Sequence, residues 1–390
     1  MHSEMSKETK EQVMARLKRR YAVAGQEHKR KLLDQAVELL GYHRKAAVRA
    51  LRRSEPSNDE KLRVNVVLGR PRTYEPATLL PILKPIWFTA FQPCGSRLHA
   101  LLPEWLPAYE LDQRRLDPDV RECLLGASAR TLDRLIAPLR IGLARRGGTR
   151  PGSLLRQSIP IRGTWSEEGP GWLEMDTVAL CGGRLDDQHL WMLDAVDVRT
   201  AWTELRALQN RGRRCTLEQI KDLEKSLPFA LLGLDSDNGG EFINHHLAAY
   251  LAQRSKPVLF TRGRPYEKND NARVEQRNWT HVRQHFGYER YDNPAVSELI
   301  NLLCKGALGQ MQNHFLPTHQ LEKKRREKDR TIRIYGPAVT PYARVIKAPE
   351  VSAAKKSQLE ALHKRLNPFA LARVIEQQKR VINQQRRLRG

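Results

Sequence analysis

Three acidic segments of this chain contain the residue types that bind divalent metal ions. They are Trp-Leu-Glu-Met-Asp at 172–176, Leu-Asp-Ser-Asp-Asn-Gly-Gly-Glu-Phe at 234–242 and Asn-Asp-Asn-Ala-Arg-Val-Glu at 269–275. Carboxylates supplied by two strands and a following helix can hold two divalent cations for phosphoryl transfer on nucleic acid. The gap between Asp237 and Glu275 leaves room for a helix, a short strand and a loop that return the chain to the same site. The spacing therefore predicts one metal site built from all three segments.

Two carboxylates compete for the role of metal ligand in each predicted strand. Glu174 and Asp176 share one face of the first strand. Asp235 and Asp237 share one face of the second. Alternation therefore does not choose within either pair. Glu275 differs, because the predicted helix around it places no other carboxylate on its face.

The elements that position these acids follow from periodicity. Alternating and short apolar runs predict strands, and apolar residues at helical spacing predict helices. In chain order they are strands at 171–180, 189–198 and 201–209, a helix at 216–226, a strand at 229–235, a helix at 241–253, a strand at 257–261 and a long helix at 271–286. A strand meander followed by alternating helices and strands predicts an α/β core with a mixed sheet.

Three segments carry a resemblance to a known family. They are Pro-Gly-Trp-Leu-Glu-Met-Asp-Thr-Val at 170–178, Asp-Ser-Asp-Asn-Gly-Gly-Glu-Phe-Ile-Asn at 235–244, and Phe-Thr-Arg-Gly-Arg-Pro-Tyr-Glu-Lys-Asn-Asp-Asn-Ala-Arg-Val-Glu-Gln-Arg-Asn-Trp at 260–279. In this combination the chain resembles bacterial insertion-sequence transposases, whose catalytic core is similar to that of retroviral integrases. The detailed resemblance covers residues 150–345.

The resemblance implies a fold, a site and an activity. The fold is an RNase H-like core, and the site is a D-D-E triad of Asp176, Asp237 and Glu275 that holds two Mg²⁺ ions, with Mn²⁺ as a substitute. These ions would activate a water and stabilise the leaving 3′ oxygen, so that a phosphodiester is cut at the element end. The freed 3′-hydroxyl would then attack target DNA. The implied partners are double-stranded DNA, both the terminal repeats of the element and the target, and further copies of the chain in a homo-oligomer on DNA.

Other interpretations of the same residues stay open. The run from Asp235 could be a calcium loop, but the fifth and twelfth positions of that motif are Gly239 and His246 here. The acids could also be ordinary surface charges. The chain could be a transposase-derived regulator that binds DNA without cutting it, or a nuclease of the same fold that only hydrolyses. An intact triad argues against the regulator.

Composition favours a nucleic-acid partner. The net charge of +24 and an isoelectric point near 10.1 attract a polyanion, although a solvated basic surface of the ribosomal kind has the same composition. Five scattered cysteines without a C-x-x-C pair favour a reducing, cytoplasmic location, associated with the nucleoid when DNA is bound. The sequence contains no Gly-x-x-x-x-Gly-Lys loop, so we expect no nucleotide cofactor. No apolar run predicts a membrane span.

The rest of the chain predicts a multidomain protein with all-α helix-turn-helix modules before the core. The predicted domains are a first module at 1–60, a second at 61–144, a basic linker at 145–165, the catalytic core at 166–318 and a basic C-terminal region at 319–390 for DNA binding or oligomerisation. In the last region, β-prone pieces at 333–346 predict a small barrel, followed by a basic helical arm at 355–389.

Helix boundaries in the two modules follow from Gly, Pro and capping residues. The first module has predicted helices at 29–40 and 43–52. The second has helices at 77–90, 96–102, 119–125 and 129–139, with Pro81 and Pro85 expected to shorten or kink the first and Pro103 expected to end the second. Candidate DNA contacts, on these helices and around the third acidic segment, are Arg44, Lys45, Arg49, Arg130, Arg134, Arg262, Arg264, Lys268, Arg273, Arg277 and Arg283. Any of these cations could instead be a solvated charge.

Overall fold

The computed structural model describes residues 7–52, 73–140, 169–183, 188–236, 241–242, 245–262, 278–327 and 330–387. The chain divides into two compact units, Met1–Pro71 and Arg72–Gly390. The described chain is mostly helical and contains a mixed five-stranded sheet. Within the described residues, no helix has both the length and the apolar character needed to cross a membrane.

The first unit consists of three helices, α1 (Lys7–Val23), α2 (Gln26–Leu40) and α3 (Arg44–Arg52). The sequence predicted α2 and α3 but not α1, whose apolar residues are sparse among charged ones. Gly41 ends α2 with a φ of 70° and donates its backbone N–H to the Val37 carbonyl. The three helices enclose a small apolar core of Leu17, Tyr21, Leu32, Leu33, Ala36, Leu40, Ala47 and Leu51.

The sheet of the second unit mixes antiparallel and parallel strands. Its strands are β1 (Trp172–Ala179), β2 (Trp191–Asp197), β3 (Thr203–Leu208), β4 (Gly233–Ser236) and β5 (Leu259–Arg262). The order across the sheet is β3-β2-β1-β4-β5. The first three strands pair antiparallel, whereas β4 and β5 run parallel to β1. All five predicted strands are found, each shorter than expected; β4 begins at Gly233 rather than at 229, and β4 and β5 each extend one residue beyond the predicted end.

The two faces of the sheet pack against different helices. One face, which includes Leu173, Leu193 and Leu234, packs on α8 (Arg213–Ser226) and α9 (His245–Ala252). The other face contributes Val178, Met192, Leu205 and Ala207 to a larger core. Strand alternation places Glu174, Asp176, Asp194 and Asp235 on this second face.

Four helices before the sheet share this larger core: α4 (Pro76–Thr89), α5 (Gly95–Asp112), α6 (Pro118–Gly126) and α7 (Ala129–Ile136). The indole N–H of Trp105 in α5 donates to the Phe315 carbonyl, 3.2 Å away, on a segment after the sheet. The described part of the predicted second module, residues 73–140, therefore packs in one compact unit with the predicted core. The predicted linker at 145–165 lies outside the described residues.

The expectations that Pro81 and Pro85 would shorten α4 and that Pro103 would end α5 were wrong. Helix α4 continues through Pro81 and Pro85, and α5 continues through Pro103 and Pro107 to Asp112. A proline removes one helical hydrogen bond and costs a helix about 3 kcal/mol. Pro103 and Pro107 lie on the exposed side, while the opposite side of α5 buries Leu98, Leu102, Trp105, Leu106 and Tyr109. We infer that this apolar burial offsets the lost bonds.

The described chain after the sheet is mainly helical. It contains a π-helical turn (Asn278–Arg283), α10 (Gln284–Phe286), α11 (Pro294–Leu303), two further π-helical turns (Cys304–Leu308 and Met311–Phe315), a hairpin of β6 (Leu321–Glu327) and β7 (Arg330–Tyr335), then α12 (Pro341–Lys347), α13 (Ala353–Arg365) and α14 (Pro368–Arg387). The predicted helix at 271–286 is helical over its described part, 278–286.

The predicted small barrel was wrong, whereas the predicted tail at 355–389 is helical over most of its described part. Two paired strands cannot close a barrel, and Thr340 caps a helix where further strands were expected. The final helix α14 buries Phe369, Ile375 and Ile382 in the larger core, so it is a packed element of the second unit. Its apolar residues recur at helical spacing beneath the basic ones.

Two asparagines cover the outer edge of β3. Asn313 accepts a hydrogen bond from the backbone N–H of Thr203 at 2.9 Å and donates to the Thr203 carbonyl at 2.8 Å. Asn301 makes the same pair of contacts with Ala207, at 2.7 and 3.3 Å. These side chains bond the edge of the sheet as a sixth strand would, which shields it from pairing with another chain.

Candidate active site

The two carboxylates of β1, Glu174 and Asp176, differ in their exposure to solvent. In the sheet register Glu174 lies opposite Asp235 of β4, and Asp176 lies opposite Asp194 of β2. Glu174 is 1% exposed and Asp235 is fully buried, with the Thr261 hydroxyl donating to Asp235 Oδ1 at 2.6 Å. Asp176 is half-buried at the carboxyl end of the parallel pair. Asp176 is therefore the carboxylate of β1 that a ligand can reach, a choice that alternation did not make.

Both oxygens of Asp176 accept hydrogen bonds. The backbone N–H of Thr177 donates to Oδ1 at 2.7 Å, and the Asn278 amide donates to Oδ2 at 2.6 Å. Hydrogen bonds to a charged acceptor are short and strong, so they fix the orientation of the carboxylate. Asn278 begins the π-helical turn and lies three residues after Glu275 in the sequence. A residue shortly after the third acidic segment therefore contacts Asp176 of the first segment.

The second acidic segment also reaches β1. Glu241, four residues after Asp237 in the sequence, is 3% exposed and accepts a hydrogen bond from the Thr177 hydroxyl at 2.9 Å. The same Glu241 oxygen accepts from Arg211 Nε at 2.7 Å. Arg211 lies in the connection between β3 and α8, and its guanidinium lies 4.4 Å from the ring centre of Trp191. A buried carboxylate and a cation are thus paired beside Asp176.

Two members of the predicted triad, Asp237 and Glu275, lie outside the described residues. So do four of the predicted DNA contacts: Arg264, Lys268, Arg273 and Arg277. Arg262 is the last residue of β5, and its side chain is outside the description. In the described part of the chain, no group of three or more His, Cys, Asp and Glu residues is arranged to hold a metal ion. Asp176 is half-buried, and its carboxylate oxygens are of the type that Mg²⁺ prefers as ligands. This residue therefore fits the predicted metal site.

The candidate DNA-binding side chains that the structure describes differ in solvent exposure and in ion pairing. On α3, Lys45 and Arg49 are exposed, whereas Arg44 forms an ion pair with Asp34. On α7, Arg130 and Arg134 are exposed. All four side chains are exposed, and Arg49 Nε also donates to the Lys45 carbonyl at 3.4 Å.

Arg283 is engaged within the protein. Its guanidinium lies 4.9 Å from the centre of the Tyr288 ring, and burial lowers the pKa of Arg283. A cation held over an aromatic face is worth about 0.5–2 kcal/mol, so Arg283 has a structural contact that a DNA ligand would have to replace.

Sequence reasoning missed four residues that shape the site: Thr177, Arg211, Glu241 and Asn278. Thr177, Glu241 and Asn278 lie inside the three matching segments, and this position indicated that they could be near the site. Their hydrogen-bond partners are distant in sequence, so the contacts themselves were not predicted. Arg211 carried no signal.

No family model matches the chain. Over 358 residues it is 33% identical to the "Uncharacterized protein y4rM" of Sinorhizobium fredii, an alignment that covers 88% of this chain and 97% of that protein. At this identity and coverage, the chain belongs to the same family as the Sinorhizobium fredii protein y4rM.

Proposed function

We propose that this protein is a DNA transposase of the D-D-E type, which cuts DNA at the ends of an insertion sequence and joins those ends to target DNA. The observation that carries the proposal is the contact of two adjacent residues of β1 with residues of the two other matching segments, 235–244 and 260–279. Asp176 accepts a hydrogen bond from Asn278, and Thr177 donates one to Glu241. Segments that are far apart in sequence thus contact neighbouring residues of β1, just beyond its parallel pairing with β4.

The sheet supports the same proposal. Three antiparallel strands followed by two parallel ones, with helices between the parallel strands, agree with the order expected of an RNase H-like core. Asp237 directly follows Ser236, the last residue of β4, and β4 runs parallel to β1 with Ser236 opposite Met175. Ligands in sheets of this kind bind beyond the carboxyl ends of parallel strands.

In the proposed site Asp176, Asp237 and Glu275 hold Mg²⁺, for which Mn²⁺ can substitute. The bound metal would supply activation of the attacking oxygen and stabilisation of charge on the leaving oxygen. Asn278 holds Asp176 in one orientation through Oδ2, and Asp176 is only partly buried. A preoriented ligand lowers the cost of ordering the site when metal and DNA arrive.

The proposed partner is double-stranded DNA, bound by several copies of the chain. The net charge of +24 provides sequence-independent attraction to phosphates. The first unit presents Lys45 and Arg49 on α3, and α7 presents Arg130 and Arg134. Joining two element ends to one target requires more than one active site, so we propose a homo-oligomer on DNA.

The experiment is a strand-transfer assay with Mg²⁺ or Mn²⁺. Purified protein is incubated with labelled DNA that carries the sequences flanking its own gene, beside an Asp237→Asn variant as control. Joined products that disappear in the variant support the transposase. Nicks without joined products would point to a nuclease that only hydrolyses. DNA binding without cleavage by the unmodified protein would point to the regulator and reject the catalytic proposal.

A further inference from the structure

We infer that Glu241, held by Arg211, is a positioning residue that fixes Asp176 through Thr177. This inference rests on the proposed function, because it concerns the same site. Glu241 belongs to the stretch that follows Asp237, and its carboxylate accepts hydrogen bonds from Thr177 on one strand and from Arg211 on a neighbouring connection. Three elements are joined at this carboxylate.

The side chains on the two faces of β1 are held by different hydrogen bonds. Successive residues of a strand point to opposite faces, so the side chains of Asp176 and Thr177 leave the strand in opposite directions. Asn278 bonds the first and Glu241 bonds the second. The Thr177 backbone N–H also donates to Asp176 Oδ1. A shift of Thr177 therefore moves a direct hydrogen-bond donor of the Asp176 carboxylate.

Charge and burial assign Glu241 to positioning rather than to metal binding. Its carboxylate is 3% exposed and its charge is balanced by the Arg211 guanidinium, which itself lies over the Trp191 ring. A buried carboxylate needs such a partner, because an unpaired buried charge is costly. With one Glu241 oxygen accepting from both Arg211 and Thr177, the carboxylate serves as a fixed anchor beside the site.

A matched pair of substitutions tests this assignment. Thr177→Val keeps the shape of the side chain and removes the hydroxyl, whereas Thr177→Ser keeps the hydroxyl. We expect Thr177→Val to lower kcat for DNA cleavage by about tenfold with KM for DNA unchanged, and to lower the thermal midpoint by only a few degrees, since one hydrogen bond to a charged group is lost while Arg211 still pairs with Glu241. We also expect a similar rise in the Mn²⁺ concentration that half-saturates the protein without DNA, measured from the spectrum of free Mn²⁺. Thr177→Ser should restore both values to within about twofold.

The outcomes separate this inference from the proposed function. If Thr177→Val keeps the kcat and Mn²⁺ affinity of the unmodified protein while Asp176→Asn abolishes cleavage, the positioning role is rejected and the proposed function stands. If both Thr177 variants lose activity together with thermal stability, the contact is merely structural and the inference is rejected. If Asp176→Asn cleaves normally, the proposed function itself fails.

Discussion

Asn278 donates a hydrogen bond to Asp176 across 102 positions of the chain, at a distance of 2.6 Å. The contact joins β1 to the π-helical turn that follows the third acidic segment. Asn278 is half-buried, and its donor group is aimed at the one reachable carboxylate of β1. This relationship gives Asn278 a role in orienting Asp176 that its position three residues after Glu275 did not by itself reveal.

Replacing Asn278 should impair the proposed chemistry more than the fold. Asn278→Leu removes the donor to Asp176, and a hydrogen bond to a charged group is worth about 1.5–3 kcal/mol. We expect kcat for DNA cleavage to fall by roughly ten- to a hundredfold, with DNA affinity retained. Steady-state cleavage kinetics and a DNA-binding titration of both proteins measure this. Unchanged kcat in the variant would show that Asp176 does not need the amide.

The asparagine contacts on β3 should contribute to stability. Asn313 is 2% exposed and bonds both backbone groups of Thr203, whereas Asn301 is half-buried. Each buried backbone group that loses its bond costs about 1–3 kcal/mol, so Asn313→Ala, which leaves two such groups, should lower the free energy of unfolding by about 2–6 kcal/mol. Asn301→Ala, the matched control, should cost less. Urea unfolding of the three proteins compares them. Equal midpoints would contradict the role given to this edge.

Stability should fall as the pH drops below neutrality. Burial and the positive charge of Lys379 lower the pKa of His285 to about 3, and burial and His363 lower the pKa of His314 to about 3. Both values lie below the unfolded pKa of about 6.5, so protonation favours the unfolded chain. The stability that these histidines contribute is present above pH 6.5 and is lost toward pH 3.

A His285→Leu variant isolates one of these groups. From pH 7 to pH 5, each buried neutral histidine should lower the free energy of unfolding by about 2 kcal/mol. The variant should therefore lose about 2 kcal/mol less than the unmodified protein over this range. Urea unfolding at the two pH values gives both differences. If the variant shows the same pH dependence, His285 is not held neutral in the folded state.

The first unit should contribute to DNA binding through Lys45 and Arg49. Each phosphate contact contributes about 0.9 to the slope of log affinity against log salt concentration. Lys45→Ala and Arg49→Ala should each reduce this slope by about one, uniformly across DNA sequences. Arg44→Ala should change it less, because Asp34 already pairs with Arg44. Fluorescence anisotropy over a range of salt measures the slopes. A Lys45→Ala, Arg49→Ala double variant with an unchanged slope would exclude α3 from the interface.

Local sequence patterns predicted the sheet well. The strands at 171–180 and 189–198 were found as β1 and β2, because alternating and short apolar runs are visible in the residue types themselves. The same logic failed for α5, where Pro103 was expected to end the helix. Proline has a low helix propensity, which a local sequence rule takes into account. Burial of Trp105 and its neighbours stabilises the helix through tertiary packing, which a local rule does not describe.

Less of the candidate site than of the sheet could be predicted from the sequence. Alternation narrowed β1 to Glu174 and Asp176, and the difference in their exposure arises only from packing. The contacts of Asn278 and Glu241 with β1 depend on parallel pairing and on helices that return to the sheet. Arg211 lies on a connection whose sequence carries no pattern. Such long-range partners follow from topology, which a single sequence specifies only indirectly.

The most direct measurement of the central claim is DNA cleavage by an Asp176→Cys variant in Mg²⁺ and in Mn²⁺. A thiolate is a poor ligand for the hard Mg²⁺ ion and is better tolerated by Mn²⁺. If Asp176 binds the catalytic metal, the variant should be inactive in Mg²⁺ and recover cleavage in Mn²⁺, while the unmodified protein cleaves in both. Cleavage by the variant in Mg²⁺ at the unmodified rate would contradict the claim that Asp176 is a metal ligand.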